Sequence, residues 1–108
     1  NLWLRENDLA KAESIADEIR GKHIRALGLQ VGEHVQVSCN LLAPDVVGPM
    51  YVYDAVSSYT GINRAELVGL IPATVYLATP YERREELDIS EDKTIEARLI
   101  KAGFNGGS

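Results

Sequence analysis

The segment Val35–Leu42, VQVSCNLL, alternates apolar and polar side chains as far as Leu41. Strict alternation is typical of a β-strand with one buried face, because successive side chains of a strand point to opposite sides. The two sets of side chains in the segment are Val35, Val37, Cys39 and Leu41 on one face, and Gln36, Ser38 and Asn40 on the other. The segment therefore predicts a strand that packs on a core and presents three uncharged polar groups on its opposite face.

The segments on either side of this strand predict the element order β-α-β-β-α-β. A strand over Ile24–Gln30 joins it through a turn at Val31–His34, so the two form a hairpin. The remaining predicted elements are a strand over Asn1–Arg5, a helix over Asp8–Arg20 with Asn7 as N-cap, a helix with Gly48 as N-cap and Pro49 as N1, and a strand over Asn63–Ile71.

This order predicts an α+β fold, the ferredoxin-like βαββαβ plait. Right-handed crossovers place both helices on one face of an antiparallel sheet. The other face is then bare, and it carries Gln36, Ser38 and Asn40, with Glu66 joining them from the last strand. The apolar face predicted for the second helix consists of Met50, Val52, Tyr53, Val56 and Tyr59.

The last third of the chain predicts further helices that follow the plait. Pro72 begins a short helix that runs through Ala78, and Glu82–Leu87 is a charged helix or link. Ser90 is the predicted N-cap of a final helix that ends at Gly103. The apolar stripe of that helix consists of Ile95, Leu99 and Ile100, and the tail Phe104–Ser108 is expected to fray.

Length, charge and cysteine content limit the class of protein. The 108 residues suffice for one domain, residues 1–108. A net charge of −5 disfavours nucleic acid as a partner, and no apolar run is long enough to span a membrane. The single cysteine excludes an internal disulfide, so a cytoplasmic location is expected. Because the only methionine is Met50, the chain is expected to be a piece of a longer protein.

The usual catalytic and metal-binding motifs are missing from the sequence. His23 and His34 are interpreted as surface histidines, and Cys39 as a buried, inert thiol. The run Glu82–Glu86 is most simply a solvated helix face. No metal site and no catalytic residue are predicted, and plain solvent exposure remains an interpretation of the polar face of VQVSCNLL.

Three segments resemble the formiminotransferase family. They are Ala26–Val56, Arg64–Pro72 and Glu91–Leu99, and the stretches QVSCNLL and ELVGLIP within them are the most specific. The similarity is to the C-terminal subdomain of the family and covers nearly the whole chain. The N-terminal subdomain, which carries the catalytic histidine of the family, has no counterpart here. Neither His23 nor His34 corresponds to that histidine.

The resemblance implies a reaction and a set of partners. The family transfers a formimino group from N-formimino-L-glutamate to N5 of the co-substrate tetrahydrofolate in histidine breakdown, without a metal. In the family, folate lies in a cleft between two subdomains, so the resemblance implies an N-terminal subdomain as the partner of this chain. It also implies that the parent protein is a homodimer. The chain alone is expected to be inactive.

The resemblance also implies roles for six residues. Gln36, Ser38 and Asn40 would hydrogen-bond the pterin edge or the substrate, since amides and hydroxyls both donate and accept. Glu66 would orient a donor group. The glutamyl carboxylates would pair with the arginines Arg25 and Arg64.

Two other interpretations stay open at the level of the sequence. The chain can be a binding or regulatory module that holds a metabolite without chemistry. It can also be an assembly domain whose bare sheet face packs on another subunit. Fold analogy alone does not choose between them.

Overall fold

The computed structural model describes residues 1–103, so the predicted tail, residues 104–108, lies outside the described residues. The described part contains four strands and five α-helices. In chain order they are β1 (Leu2–Leu4), α1 (Leu9–Ile19), β2 (Ile24–Val31), β3 (His34–Leu41), α2 (Pro49–Ser57), β4 (Ile62–Ala65), α3 (Ala73–Ala78), α4 (Tyr81–Arg84) and α5 (Ile95–Lys101).

The four strands form one antiparallel sheet with the order β2-β3-β1-β4. The α+β class is therefore confirmed. In the register of the sheet, Leu2 lies opposite Val37, and Ala26 lies opposite Cys39. Direct cross-strand partners point to the same face, so these four side chains share one side of the sheet.

Helices α1 and α2 cover that side of the sheet and enclose the main core. Val35 and Val37 of β3 are completely buried, as is Val56 of α2, and Cys39 and Leu41 pack against the same core. The alternation predicted for VQVSCNLL is confirmed for its apolar residues.

The strand β2 lies unusually close to α1. A Cβ added at Gly28 would come within 2.6 Å of the backbone nitrogen of Glu13 and 2.7 Å of the carbonyl carbon of Ala12. Ala12 at this contact is completely buried, as is Ala16 one turn further along α1. Gly28, which has no side chain, is thus what allows the helix to approach the sheet so closely.

The two predicted helix starts have different outcomes. The helix α2 begins as predicted, with Gly48 as N-cap and Pro49 at the first helical position. The helix α1 is capped by Asp8, not by Asn7, because the Asp8 carboxylate accepts the backbone N–H of Lys11 at 3.1 Å. The prediction that Tyr59 lies on the apolar face of α2 is wrong, because this helix ends at Ser57 and the tyrosine is exposed.

The last strand is much shorter than predicted. The sequence predicts a strand over Asn63–Ile71, but β4 ends at Ala65. The backbone leaves the sheet because the N–H of Leu67 donates to the Asp88 carboxylate at 2.9 Å, and because Gly69 has a φ of +88°. Glu66 therefore lies at the end of the sheet rather than within it.

A second, smaller core joins the C-terminal helices to α2. Its buried residues are Ile71, Val75, Leu87 and Ile89, and Met50 and Tyr53 of α2 pack against them. Apolar residues that read as a continuation of β4 are thus used to hold α3 and the segment after α4.

The final helix differs from its prediction in its start and in its stripe. Ser90 precedes a 3-10 turn over Glu91–Lys93, and α5 begins only at Ile95, where the Thr94 hydroxyl accepts the N–H of Ala97. The predicted apolar stripe is exposed: Ile95, Leu99 and Ile100. The helix is attached instead through Glu96, whose carboxylate accepts the N–H of Ala73 at 2.7 Å.

Asp88 stabilises this second core, and its interactions predict that the stability of the fold depends on pH. Its carboxylate accepts the Leu67 N–H and pairs with the Lys93 ammonium at 2.7 Å. Partial burial opposes the charge, but these two partners outweigh burial and hold the pKa of Asp88 below its ordinary value. The carboxylate therefore stabilises the fold above the unfolded pKa of about 3.9, and this contribution is lost as the pH falls through the lower folded pKa.

We expect Asp88→Asn to lower the free energy of unfolding at neutral pH by up to about 1 kcal/mol, since the ion pair is partly exposed. Asparagine tolerates the left-handed backbone that Asp88 adopts, with a φ of 58°. The difference from the wild type should shrink below about pH 4 in thermal unfolding followed by circular dichroism. A difference that stays constant through this acid range would show that the charge of Asp88 plays no part.

Candidate functional site

The register of the sheet places the predicted polar residues on the side opposite α1 and α2. Asn40 lies opposite Arg25, Ser38 opposite Leu27, and Gln36 opposite both Leu29 and Trp3. Trp3 in turn lies opposite Arg64. We call this side the open face, and its residues are Trp3, Arg25, Leu27, Leu29, Gln36, Ser38, Asn40 and Arg64.

Gln36 and Trp3 form a polar pair at the centre of the open face. Gln36 is only 6% exposed, so the alternative interpretation of plain solvent exposure does not apply to it. Its neighbours Leu29 and Trp3 flank it on the adjacent strands. Within residues 1–103, neither the Oε1 of Gln36 nor the Nε1 of Trp3 has a hydrogen-bond partner, although both atoms are buried. An unpaired buried polar group lowers the free energy of unfolding by about 1–3 kcal/mol. These two atoms therefore destabilise the fold unless a ligand or partner supplies the missing hydrogen bonds.

Trp3 is the site residue that the sequence did not identify. The Arg64 guanidinium lies 4.9 Å from the centre of its ring, within cation–π distance. The His34 ring meets it edge-on, with centroids 6.3 Å apart. The available signal was its position between Leu2 and Leu4, because a residue that alternates with two core residues must lie on the other face of a strand.

A chain of side-chain hydrogen bonds links the open face to the end of the sheet. The Ser38 hydroxyl donates to Oδ1 of Asn1 at 2.9 Å. The Asn1 amide donates in turn to Oε1 of Glu66 at 3.5 Å, which is a long contact. Ser38 and Glu66 therefore belong to one polar group even though β4 ends before Glu66.

A cavity of about 190 Å³ opens where the sheet ends, and we call it the end pocket. It brings Asn40 and Glu66 together, two residues that lie on different strands of the sequence prediction. Its apolar lining includes Leu2, Cys39, Val52, Val68, Leu70 and Leu87. Sites for drug-sized ligands occupy about 300–1,000 Å³, so the end pocket suits one ring system and not a whole cofactor.

Cys39 contributes a wall of the end pocket and not a nucleophile. Burial raises the pKa of Cys39 to about 11. The thiol is consequently protonated at neutral pH, while reactive cysteines need the thiolate.

Arg25 and Arg64 are not brought together. They lie on the two outer strands of the sheet, three strand spacings of about 4.8 Å apart, and Asn40 and Gln36, their counterparts on β3, are separated by about 13 Å along the strand. Both arginines are exposed on the open face. They cannot clamp one carboxylate between them.

Metal sites and membrane-spanning helices are the remaining classes to consider in the described residues. Across residues 1–103, no three His, Cys, Asp or Glu side chains are grouped so that they could hold a metal ion. None of the helices in that same stretch is long and apolar enough to cross a membrane.

The chain matches no protein-family model, no curated protein and no solved structure. The resemblance to formiminotransferases therefore rests on the sequence segments alone.

Proposed function

We propose that this chain forms one wall of the folate-and-substrate cleft of a formiminotransferase-type enzyme, on a ferredoxin-like plait. The order β-α-β-β-α-β through Ala65 supports the plait, as does a sheet with α1 and α2 packed on one face. The open face is the surface that such a wall requires.

The observation that carries the proposal is the unpaired donor and acceptor at the centre of the open face. Trp3 Nε1 can only donate and Gln36 Oε1 can only accept. A pterin ring or a glutamyl amide carries both kinds of group on one edge and matches this pair after a rotation of the Gln36 amide. Ser38 and Asn40 continue the same polar row towards the end pocket, along which the rest of the ligand would lie.

The proposed chemistry divides the work between two subdomains. N5 of tetrahydrofolate attacks the formimino carbon and gives up its proton. The bond from that carbon to the glutamate nitrogen breaks, and this nitrogen takes up a proton. An N-terminal partner subdomain supplies the general acid and base. The role of this chain is to hold and orient the reactants, which by itself contributes several kcal/mol to lowering such a barrier.

Binding can be tested with the chain itself, because Trp3 is its only tryptophan and lies on the open face. We expect 5-formyltetrahydrofolate, a stable folate, to shift the tryptophan emission in a saturable way. The compound p-aminobenzoylglutamate is the matched control, since it keeps the glutamyl tail and lacks the pterin. No saturable response to the folate would contradict the proposal. Equal responses to both compounds would place the glutamyl amide, and not the pterin, at Trp3.

A second candidate function is assembly, and the apolar part of the open face favours it. Leu27 is 55% exposed and Val31, at the end of the same strand, is 43% exposed. Replacing Gln36, Ser38 and Asn40 together by alanine separates the two functions. We expect this triple variant to lose the folate response and to keep the sedimentation coefficient of the wild type. Loss of assembly with an unchanged folate response would favour the interface.

A further inference from the structure

The end pocket has a distinct chemical character from the open face. Glu66 is the one charged side chain among the residues of the described part, 1–103, that line it. Asn40 adds an amide, Asn1 adds an amide and the α-ammonium that donates to the Glu66 carbonyl at 2.9 Å, and the remaining side chains are apolar. A carboxylate at the edge of such a small, largely apolar cavity favours a ligand that is flat and presents N–H donors on one edge.

The carboxylate of Glu66 is available for such a ligand. Within residues 1–103, its side chain makes one long hydrogen bond, from the Asn1 amide to Oε1 at 3.5 Å. A carboxylate accepts two parallel N–H bonds when the donors are spaced as in an N–C–N unit, and these charge-assisted pairs are among the stronger hydrogen bonds of proteins. Asn40 can add a donor or an acceptor beside them.

We propose that the end pocket binds a planar N–C–N donor edge, with Glu66 accepting both N–H groups and the apolar lining covering the ring or chain behind them. Two groups present this edge: the 2-aminopyrimidine side of a pterin, and the formamidine of a formimino donor. Their assignment to this chain rests on the proposed function, whereas the pocket chemistry does not.

The test uses small probes and the location of their effects. Pterin, lumazine and formamidinium chloride are each titrated into the ¹⁵N-labelled chain, and the backbone amide signals of Cys39, Val68 and Leu70 are followed. Lumazine is the matched control for pterin because it carries an oxygen in place of the 2-amino group. The variant Glu66→Gln is compared with Glu13→Gln, which changes an exposed glutamate on α1.

Two results support the inference and also identify the source of the donor edge. In the first, pterin shifts the three amide signals and lumazine binds at least about tenfold more weakly. The substitution Glu66→Gln lowers the affinity for pterin by about tenfold or more. Alternatively, formamidinium alone gives saturable shifts that Glu66→Gln abolishes, which assigns the pocket to the formimino donor. Glu13→Gln leaves the affinities unchanged in both cases.

Three results would overturn the inference. The first is that neither pterin nor formamidinium shifts these amide signals. The second is that pterin and lumazine bind with equal affinity while formamidinium gives no response. The third is that Glu66→Gln leaves the affinities unchanged, although this variant melts at the same temperature as the wild type. The 5-formyltetrahydrofolate titration separates the two proposals. If folate shifts Trp3 while Glu66→Gln changes nothing, the pocket inference fails and the wall function stands. If pterin binding depends on Glu66 but 5-formyltetrahydrofolate does not bind, the wall function fails and the pocket inference stands.

Discussion

Replacing Gly28 by alanine is expected to lower the free energy of unfolding by about 3 kcal/mol, the upper part of the usual range for overpacking a core. The new Cβ would lie 2.6 Å from the backbone nitrogen of Glu13 and 2.7 Å from the carbonyl carbon of Ala12. Carbon atoms do not approach other heavy atoms to these distances, so the helix or the strand has to move.

The movement is costly because the opposing atoms are backbone atoms in the middle of α1. A flexible side chain could turn away, but here the whole helix must shift from β2. Ala12 and Ala16, both completely buried in α1, would then lose packing. Because α1 also covers β3, the loss extends to the centre of the sheet.

The measurement is chemical denaturation of Gly28→Ala beside the matched control Gly21→Ala. An added Cβ at Gly21 meets no atom within 4 Å, and its φ is not in the left-handed region, so this variant should change stability by no more than about 0.5 kcal/mol. Equal stabilities for the two variants would mean that α1 does not lie as close to β2 as the structure places it.

The first two thirds of the fold were predictable because their signals are local. The alternation in VQVSCNLL and the Gly48–Pro49 helix start each depend on a few neighbouring residues, and both are confirmed. The end of β4 was not predictable in this way. Leu67 and Ile71 continue an apolar run that reads as a strand, but a carboxylate 21 residues further along the chain captures the Leu67 N–H.

The sequence predicts which polar side chains of β3 share one face of the sheet. It does not predict how deeply each of them is buried. Alternation alone places Gln36, Ser38 and Asn40 on one side of β3. Whether a residue on that side meets water depends on its cross-strand neighbours, and these follow from the register of four strands. Trp3 and Leu29 bury Gln36, a tertiary effect that the segment VQVSCNLL does not contain.

Replacing Gln36 by methionine is expected to stabilise the chain and to weaken folate binding at the same time. Methionine has nearly the shape of glutamine and carries no amide. The variant therefore removes the unpaired buried Oε1 without opening a cavity. We expect a gain of about 1 kcal/mol in the free energy of unfolding, the lower end of the cost of an unsatisfied buried polar group.

The same substitution removes the acceptor that the proposed ligand would use. We expect the affinity for 5-formyltetrahydrofolate, followed by Trp3 fluorescence, to fall about tenfold, the loss typical of one buried hydrogen bond. Gln30→Met is the matched control, since Gln30 is the other glutamine of the chain and lies exposed in the hairpin, with its amide bonded to the carbonyl of Gly32 at 2.9 Å. This control should show neither the gain in stability nor the loss in affinity.

The changes in stability and in folate affinity caused by Gln36→Met together show whether the unpaired amide belongs to a binding site or is only imperfect packing. A gain in stability with an unchanged folate response would mean that the unpaired amide is a packing flaw and that the ligand contacts other residues of the open face. A loss in both quantities would mean that Gln36 has a partner within the fold after all. Only opposite changes agree with a polar group that is kept at a cost because a ligand completes it.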